Sequence, residues 1–223
     1  MAPTTDPPRI SALGAGGLLL DASGTAYVEA VQQRVWSLAR SFHDDPELPM
    51  REVVPGVNNL LVVFDPLRVD ADRVRAALLD RWAAVAPSQE AGREIEIPVA
   101  YGGAAGDDLP RLASEAGLSV EQYVRMHSGT VYGVACIGAM PGFAYLAPLP
   151  PQLAVPRRAV PRQSVEVGTV IVGGALAGIM PVTAPTGWHS IGKTEAVLFD
   201  AMRDPPCLFA PGDRVRFVVE GIA

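Results

Sequence analysis

The chain has 223 residues, enough for one large domain or two small ones and for a hydrophobic core that needs no disulfide staples. With 49% hydrophobic and 19% charged residues it is too apolar to be intrinsically disordered. A net charge of −6 and the lack of any Lys/Arg run argue against binding to a phosphate backbone or to an anionic membrane surface.

The 22 glycines and 21 prolines call for many turns and for β-structure. Lys193 is the only lysine among the 18 basic residues, a bias that carries little chemistry by itself. Cys136 and Cys207 have no CxxC partner and sit in apolar surroundings, so free buried thiols in a reducing cytosol are expected. The Pro-rich, polar Met1–Arg9 and the short run Leu18–Leu20 do not form a signal peptide. The stretch Val167–Trp188 is uncharged, but its glycines, Pro181 and Pro185 suit turning strands rather than a spanning helix. A cytoplasmic protein is expected.

The first half alternates strand and helix patterns. Gly17–Leu20 is a short apolar strand. From Thr25 to Phe42, the residues Tyr27, Val31, Val35, Leu38 and Phe42 line one face of a helix. Arg51–Val54 and Asn58–Phe64 read as strands joined by the Pro55-Gly56 turn. Asp70 caps a second helix with Val74, Leu78, Trp82 and Val85 on its buried face. Ile95, Ile97 and Val99 alternate with Glu94 and Glu96 as a half-buried strand, and Pro87–Arg93 reads as a connector into it. The resulting order β-α-β-β-α-β is that of a ferredoxin-like split βαβ unit.

The second half begins with two short helices. Leu109, Leu112 and Ala116 line the first, within Asp107–Gly117, and Ser119 to Gln122 forms a capping box for the second. Short β-branched runs follow, at Val131–Ile137, Thr169–Val172, Ile179–Val182, Ala196–Phe199 and Arg214–Val219. Gly and Pro separate them, which suggests a barrel or sandwich.

Charge is unevenly distributed. Met126–Pro156 and Val167–Gly192 carry no formal charge, yet Arg157, Arg158, Arg162 and Glu166 lie between them and Lys193 follows. Two readings are equally open. These cations sit on barrel rims or pair with distant carboxylates, or they form a site for a small anion, where the guanidinium fork grips carboxylate or phosphate. His43 lies in the polar His43-Asp44-Asp45 stretch and reads as solvated. His127 closes a helix and His189 follows Trp188 in a Gly/Pro turn. No metal-binding His pattern, no nucleophile elbow and no P-loop is present; Gly102-Gly103-Ala104-Ala105-Gly106 lacks the Lys-Ser/Thr of a phosphate loop.

An ordered set of segments then carries a resemblance. It comprises Glu52-Val-Val-Pro-Gly-Val-Asn-Asn59, Ile95–Gly103, Asp107-Asp-Leu109, His127-Ser128, Pro141-Gly-Phe-Ala-Tyr-Leu146, Pro156-Arg-Arg158, Pro161-Arg162, Gly187-Trp188, Ile191-Gly-Lys-Thr194, Leu198-Phe-Asp200 and Pro211-Gly-Asp213. In this set the chain resembles, over roughly residues 15–220, the family of the B-type 5-oxoprolinase subunit (PxpB), allophanate hydrolase subunit 1 and the kinase inhibitor KipI. The resemblance implies an α+β chain with a ferredoxin-like domain over 10–92 and a cyclophilin-like β-barrel over 93–223. It implies one component of an ATP-dependent amidohydrolase that opens 5-oxo-L-proline to L-glutamate, together with a C-type barrel subunit and an A-type ATP-using subunit. No cofactor is expected on this chain, ATP being used by the A-type partner. Related members serve a urea amidolyase-type carboxyltransferase or inhibit a histidine kinase by protein binding. His127 and Arg162 are the candidate catalytic residues. Gly142, Phe143, Arg157, Arg158, Trp188 and Lys193 are the candidates for binding a small anionic substrate. The chain departs from the usual motifs of the family at Ala139, Leu176, Ala177, Met180 and Thr186.

Overall fold

The computed structural model describes residues 8–22, 27–43, 45–87 and 92–223. Most of the Pro-rich start, the Thr25 end of the first predicted helix, Asp44 and the middle of the Pro87–Arg93 connector lie outside the described residues. The chain divides into two compact units, Met1–Glu90 and Ala91–Ala223.

The first unit is a four-stranded antiparallel sheet with two helices. Its strands β1 (Arg9–Ala12), β2 (Gly17–Asp21), β3 (Met50–Pro55) and β4 (Asn59–Phe64) lie in the order β1-β2-β4-β3. Helix α1 (Glu29–Ser41) connects β2 to β3, and α2 (Ala71–Ala84) follows β4. Alternation sends Leu18 and Leu20 of β2, with Leu60, Val62 and Phe64 of β4, to the core. Val31, Val35 and Leu38 of α1, with Val74, Leu78 and Trp82 of α2, meet them there. The Asp70 carboxylate caps α2 by accepting from the N–H groups of Asp72 at 2.7 Å and Arg73 at 3.4 Å.

Helix α1 starts without a side-chain cap of its own, and the β3–β4 turn supplies one. The Val28 N–H donates to Asn58 Oδ1 at 3.3 Å. Gln32, wholly buried, accepts from the Asn58 N–H at 2.6 Å and donates to the Gly56 carbonyl at 3.1 Å. Asn58 holds a positive φ of 56°. The Pro-Gly-Val-Asn-Asn segment is therefore a turn that docks a helix end.

The ferredoxin-like reading of the first half needs a correction. The strand that follows α2, β5 (Glu94–Tyr101), does not return to this sheet, and the edge of β2 is instead covered by β1. The reason is burial: β5 hides Ile97, Val99 and Tyr101 in the core of the second unit.

The second unit is a closed barrel. Its members are β5, β6 (Val131–Ile137), β7 (Ala144–Ala147), β9 (Thr169–Gly173), β10 (Leu176–Ile179), β12 (His189–Lys193) and β13 (Arg214–Ile222). They close in the order β10-β7-β6-β13-β5-β12-β9, with β5 and β13 parallel and the other pairs antiparallel. Closure removes the sheet edges. Asp213 clamps the start of the parallel pair, accepting from the Arg93 N–H at 3.0 Å and the Ala210 N–H at 2.8 Å. A separate ladder pairs β8 (Arg162–Val165) with β11 (Ala184–Thr186). Helix α3 (Leu109–Glu115) and helix α4 (Val120–Ser128) precede β6, and α4 starts in the Ser119–Gln122 capping box.

Two predicted strands are displaced. The run predicted at Ile179–Val182 lies earlier, at Leu176–Ile179, and Val182 is exposed. Ala196–Phe199 is not a strand and contributes only the isolated bridge of Phe199 to Cys207. The prolines around Arg162 suggest a loop, yet Arg162 begins β8. Both cysteines are free thiols, and burial pushes the Cys136 thiol up to about 12. Among the described residues no helix is long and apolar enough to cross a membrane.

Candidate functional site

Three arginines of the second unit gather around one carboxylate. Asp108 stands just before α3, and its side chain is 6% exposed. Its Oδ1 lies 2.7 Å from Arg158 Nη1 and 3.4 Å from Arg111 Nη2. Its Oδ2 lies 3.0 Å from Arg162 Nη2 and accepts the Ser190 N–H at 2.9 Å. Arg162 also reaches Asp107 Oδ1 at 2.7 Å, and Arg111 reaches Glu115 at 2.7 Å. Burial opposes ionisation of Asp108. The Ser190 N–H together with the Arg162 and Arg158 charges overcomes it and holds the carboxyl below its ordinary range.

His189 is fixed by two partners. Its Nε2 lies 2.9 Å from the Pro156 carbonyl, which only accepts, so Nε2 carries the proton. Its Nδ1 lies 2.9 Å from Arg111 Nη2, a donor, and so accepts. His189, Asp108 and Arg111 were not among the sequence candidates. The Asp107-Asp-Leu109 segment was visible, but its partners Arg158, Arg162 and Ser190 lie 50 or more residues away.

Beside this hub opens a polar cleft of about 410 Å³, lined in part by Ala104, Ala105, Arg162, Ser164, Glu166 and Lys193. Lys193 Nζ pairs with Glu166 Oε2 at 3.0 Å, which raises the ammonium pKa.

A second cleft, of about 220 Å³, is walled by aromatic rings. Phe143, Tyr145 and Trp188 meet edge to face, with centroids 5.0 Å apart for Phe143–Tyr145, 5.8 Å for Phe143–Trp188 and 6.0 Å for Tyr145–Trp188. Two strand glycines make room for these rings. A Cβ on Gly173 would lie 2.7 Å from Trp188 Cγ, and one on Gly178 would lie 2.9 Å from Phe143 Cζ. Met140 and Met180 complete the wall, and the Arg157 guanidinium carbon stands 5.8 Å from the Trp188 ring centroid. The Thr186 hydroxyl accepts the Trp188 N–H at 3.2 Å and shapes the turn that presents the indole.

The eight sequence candidates therefore separate. Phe143, Arg157 and Trp188 share the aromatic cleft. Arg162 and Lys193 line the polar one, and Arg158 is held by Asp108. Gly142 lies in the β6–β7 turn against Leu198 and Phe199, outside both linings. The three arginines do not converge on one point as free anion ligands, because Asp107 and Asp108 use two of them.

His127 needs the larger correction. It is fully buried on α4, packed against Phe217 at 4.6 Å between ring centroids, with Nδ1 2.8 Å from the Tyr101 hydroxyl. Burial pulls its pKa down to about 3. Neither cleft reaches it. A ring sealed from solvent and held neutral is not placed to exchange protons with a ligand. Tyr145, absent from the candidates, lies in the aromatic cleft. Among the described residues no group of three His, Cys, Asp or Glu side chains is arranged to hold a metal. The departures at Ala139, Met180 and Thr186 all line the aromatic cleft, and Leu176 packs against its rings. Ala177 is buried in the barrel core instead.

A family model for the carboxyltransferase domain, subdomains C and D, matches residues 8–209. The chain is 45% identical over 191 residues to the B-type 5-oxoprolinase subunit of Escherichia coli O157:H7, covering 85% of this chain and 86% of that one. It is 33% identical over 221 residues to the B-type 5-oxoprolinase subunit of Bacillus subtilis, covering 94% and 92%. Among solved structures, the protein TTHA0988 superposes with a TM-score of 0.78 at 34% identity, covering 91% of this chain. The present chain spans only 39% of the length of TTHA0988. Urea amidolyase of K. lactis shares the fold, with a TM-score of 0.82 at 17% identity over 99% of this chain and 15% of that one.

Proposed function

Because the chain belongs to the family of the carboxyltransferase domain, subdomains C and D, we propose that it is the B-type subunit of an ATP-dependent 5-oxoprolinase. The assembly opens the lactam of 5-oxo-L-proline to give L-glutamate. Its other members are a C-type barrel subunit and an A-type subunit that uses ATP, and it works in the cytoplasm. The observation that carries this reading is the 45% identity to a B-type 5-oxoprolinase subunit over 85% of the chain.

The chemistry explains why one chain is not enough. A lactam is a poor electrophile because amide resonance stabilises it. Phosphorylation of its carbonyl oxygen by the A-type subunit makes that carbon reactive: one water adds and the C–N bond breaks, opening the ring as an acyl phosphate, and a second water releases phosphate to leave L-glutamate. Neither cleft of this chain holds a nucleophile paired with a base, and the sequence has no phosphate-binding loop. Its part is to bind and orient the acid.

The test is co-expression with the A-type and C-type subunits, co-purification, and measurement of glutamate and ADP formed from 5-oxo-L-proline and ATP. The expected result is stoichiometric turnover by the three-subunit assembly and none by the isolated chain. Failure of a stable three-subunit assembly to form glutamate overturns the reading, as does ATP-dependent turnover by the purified single chain.

A further inference from the structure

Charge pairing decides which cation of the second unit is available to a ligand. Arg158 and Arg162 are held by Asp107 and Asp108, and Lys193 is held by Glu166. Arg157 is exposed, and among the described residues it makes no ion pair and no hydrogen bond; its contact is the Trp188 ring. Across the same cleft stands Tyr145, half buried, whose hydroxyl likewise makes no hydrogen bond within the described residues. Burial raises the Tyr145 pKa and the nearby Arg157 charge opposes that rise, so the hydroxyl keeps its proton and is a donor at neutral pH.

We propose that the Arg157–Tyr145–Trp188 cleft selects a compact ring that bears one carboxylate. Arg157 takes the carboxylate, Tyr145 donates to a carbonyl oxygen borne on the ring, and the ring packs against the edges of Phe143 and Trp188. Naming that ring as 5-oxo-L-proline rests on the reading above. Size favours a small ligand: this cleft is the smaller of the two, about 220 Å³ against about 410 Å³. Charge supports it too. The lining carries one cation and no carboxylate, so it complements a monoanion. L-glutamate, the ring-opened product, brings a second carboxylate and an ammonium, and the lining offers neither a second cation nor a carboxylate to pair them, so the cleft favours the ring over the opened chain.

The test is calorimetric titration of both the isolated chain and the three-subunit assembly with four probes: 5-oxo-L-proline, cyclopentanecarboxylate, pyrrolidin-2-one and L-glutamate. The two ring carboxylates are expected to bind at least about tenfold more tightly than the other two. Arg157→Ala is expected to lose about tenfold for both ring carboxylates, with Arg157→Lys recovering part. Tyr145→Phe is expected to weaken 5-oxo-L-proline several-fold and to leave cyclopentanecarboxylate unchanged, since that probe has no carbonyl oxygen borne on the ring. In the assembly, Arg157→Ala is expected to raise KM more than it lowers kcat, because the carboxylate is remote from the bond that breaks. Arg157 has no partner to strand, so its variants keep the wild-type melting temperature. Binding unaffected by Arg157→Ala overturns the proposal, and so does pyrrolidin-2-one binding as well as the acids, or no binding of any ring carboxylate to chain or assembly. If Arg157-dependent binding of cyclopentanecarboxylate persists while the assembly makes no glutamate, the cleft stands and the oxoprolinase reading falls. If turnover is normal and KM ignores Arg157, the reverse holds.

Discussion

Arg158 and Asp108, 50 residues apart in the chain, meet at 2.7 Å through a carboxylate that is almost fully buried. The same carboxylate holds Arg162 and the Ser190 N–H, so it ties the segment after Pro156 and the start of β8 to β12 and the head of α3. Such a hub is strongly coupled: Arg158 depends on this one acid for its counter-charge, Arg162 shares it with Asp107, and each guanidinium is only partly exposed to water. Its chief effect is to hold the wall that separates two clefts. From the β8–β11 ladder, Arg162 and Ser164 face the polar cleft, while Pro185 and Thr186 face the aromatic one.

Asp108→Asn keeps the shape and removes the charge. Arg158 then loses its carboxylate partner and Arg162 keeps only Asp107 inside a partly dry site, and the expected destabilisation is about 3 kcal/mol. Arg158→Ala and Arg162→Ala each leave Asp108 with Arg111 and the other arginine and cost less, about 1–2 kcal/mol each. Because Arg158 and Arg162 share Asp108, the double variant is expected to depart from additivity. Urea unfolding of the single and double variants measures this. Additive, sub-kilocalorie effects for all three would show that the hub carries no stability. The acid response follows from the sign of the shift. The Asp108 carboxyl is lowered in the folded state, so its contribution is present above the unfolded value near pH 4 and lost as pH falls below it. Asp108→Asn should flatten that limb of the stability curve.

His127 acts in a different pH window. Folded, its pKa is about 3; unfolded, it returns to about 6.5. Below pH 6.5 the unfolded chain binds a proton that the folded chain refuses, so stability is full above pH 6.5 and falls as pH drops toward 3. The slope is about 1.4 kcal/mol per pH unit. Between pH 6.5 and 4.5 this one residue should cost about 2 kcal/mol. His127→Gln keeps an acceptor for the Tyr101 hydroxyl and cannot titrate. Denaturant midpoints from pH 4.5 to 7.5 should fall steeply at the acid end for the wild type and less so for the variant. Parallel curves would refute the assignment of a buried neutral imidazole.

Local pattern made much of the fold legible. The helical spacing of Val31, Val35 and Leu38, the Asp70 cap and the Ser119–Gln122 box are each written within a dozen residues, and each appears where expected. Pairing across the chain was not legible. The four residues of β1 carry too little alternation to show that they, rather than β5, complete the first sheet. In β9 and β12 nearly every residue is buried, so the period of two is hidden. The site divides in the same way. Phe143, Arg157 and Trp188 were marked by the segments that carry the resemblance, and they do share a cleft. For Arg158 and Arg162 the pairing and anion-site readings stayed equally open, and His127 stood as a proton-transfer candidate, because a counter-charge at Asp108, or a seal of aromatic rings, cannot be seen from neighbours in sequence.

Ala139 sits in the lining of the aromatic cleft with a φ of +66°, a left-handed conformation that strains any residue with a Cβ. Ala139→Gly relieves that strain at the cost of a more flexible unfolded chain, and the net gain is expected to be up to about 1 kcal/mol. A thermal melt gives the sign directly. A loss of stability would mean that the methyl group packs favourably enough to outweigh the backbone.

Gly173 tests the floor of that cleft. It lies in β9, paired with Leu176 of β10, and the Trp188 indole rests where its side chain would be. A methyl group there would stand 2.7 Å from Cγ and 2.8 Å from Cδ2 of the indole, closer than such atoms approach. Trp188 is nearly buried, so the ring has little room to retreat. Gly173→Ala is therefore expected to cost about 1–3 kcal/mol by overpacking. It should also tilt the indole away from Arg157, weaken ring-carboxylate binding and shift the tryptophan emission. Gly221 in β13 is the matched control, since a Cβ there meets nothing within 4 Å. Gly221→Ala should leave melting temperature, emission and binding unchanged. If Gly173→Ala melts and binds like the control, Trp188 does not form the floor of the cleft, and the selectivity assigned to that surface has no physical basis.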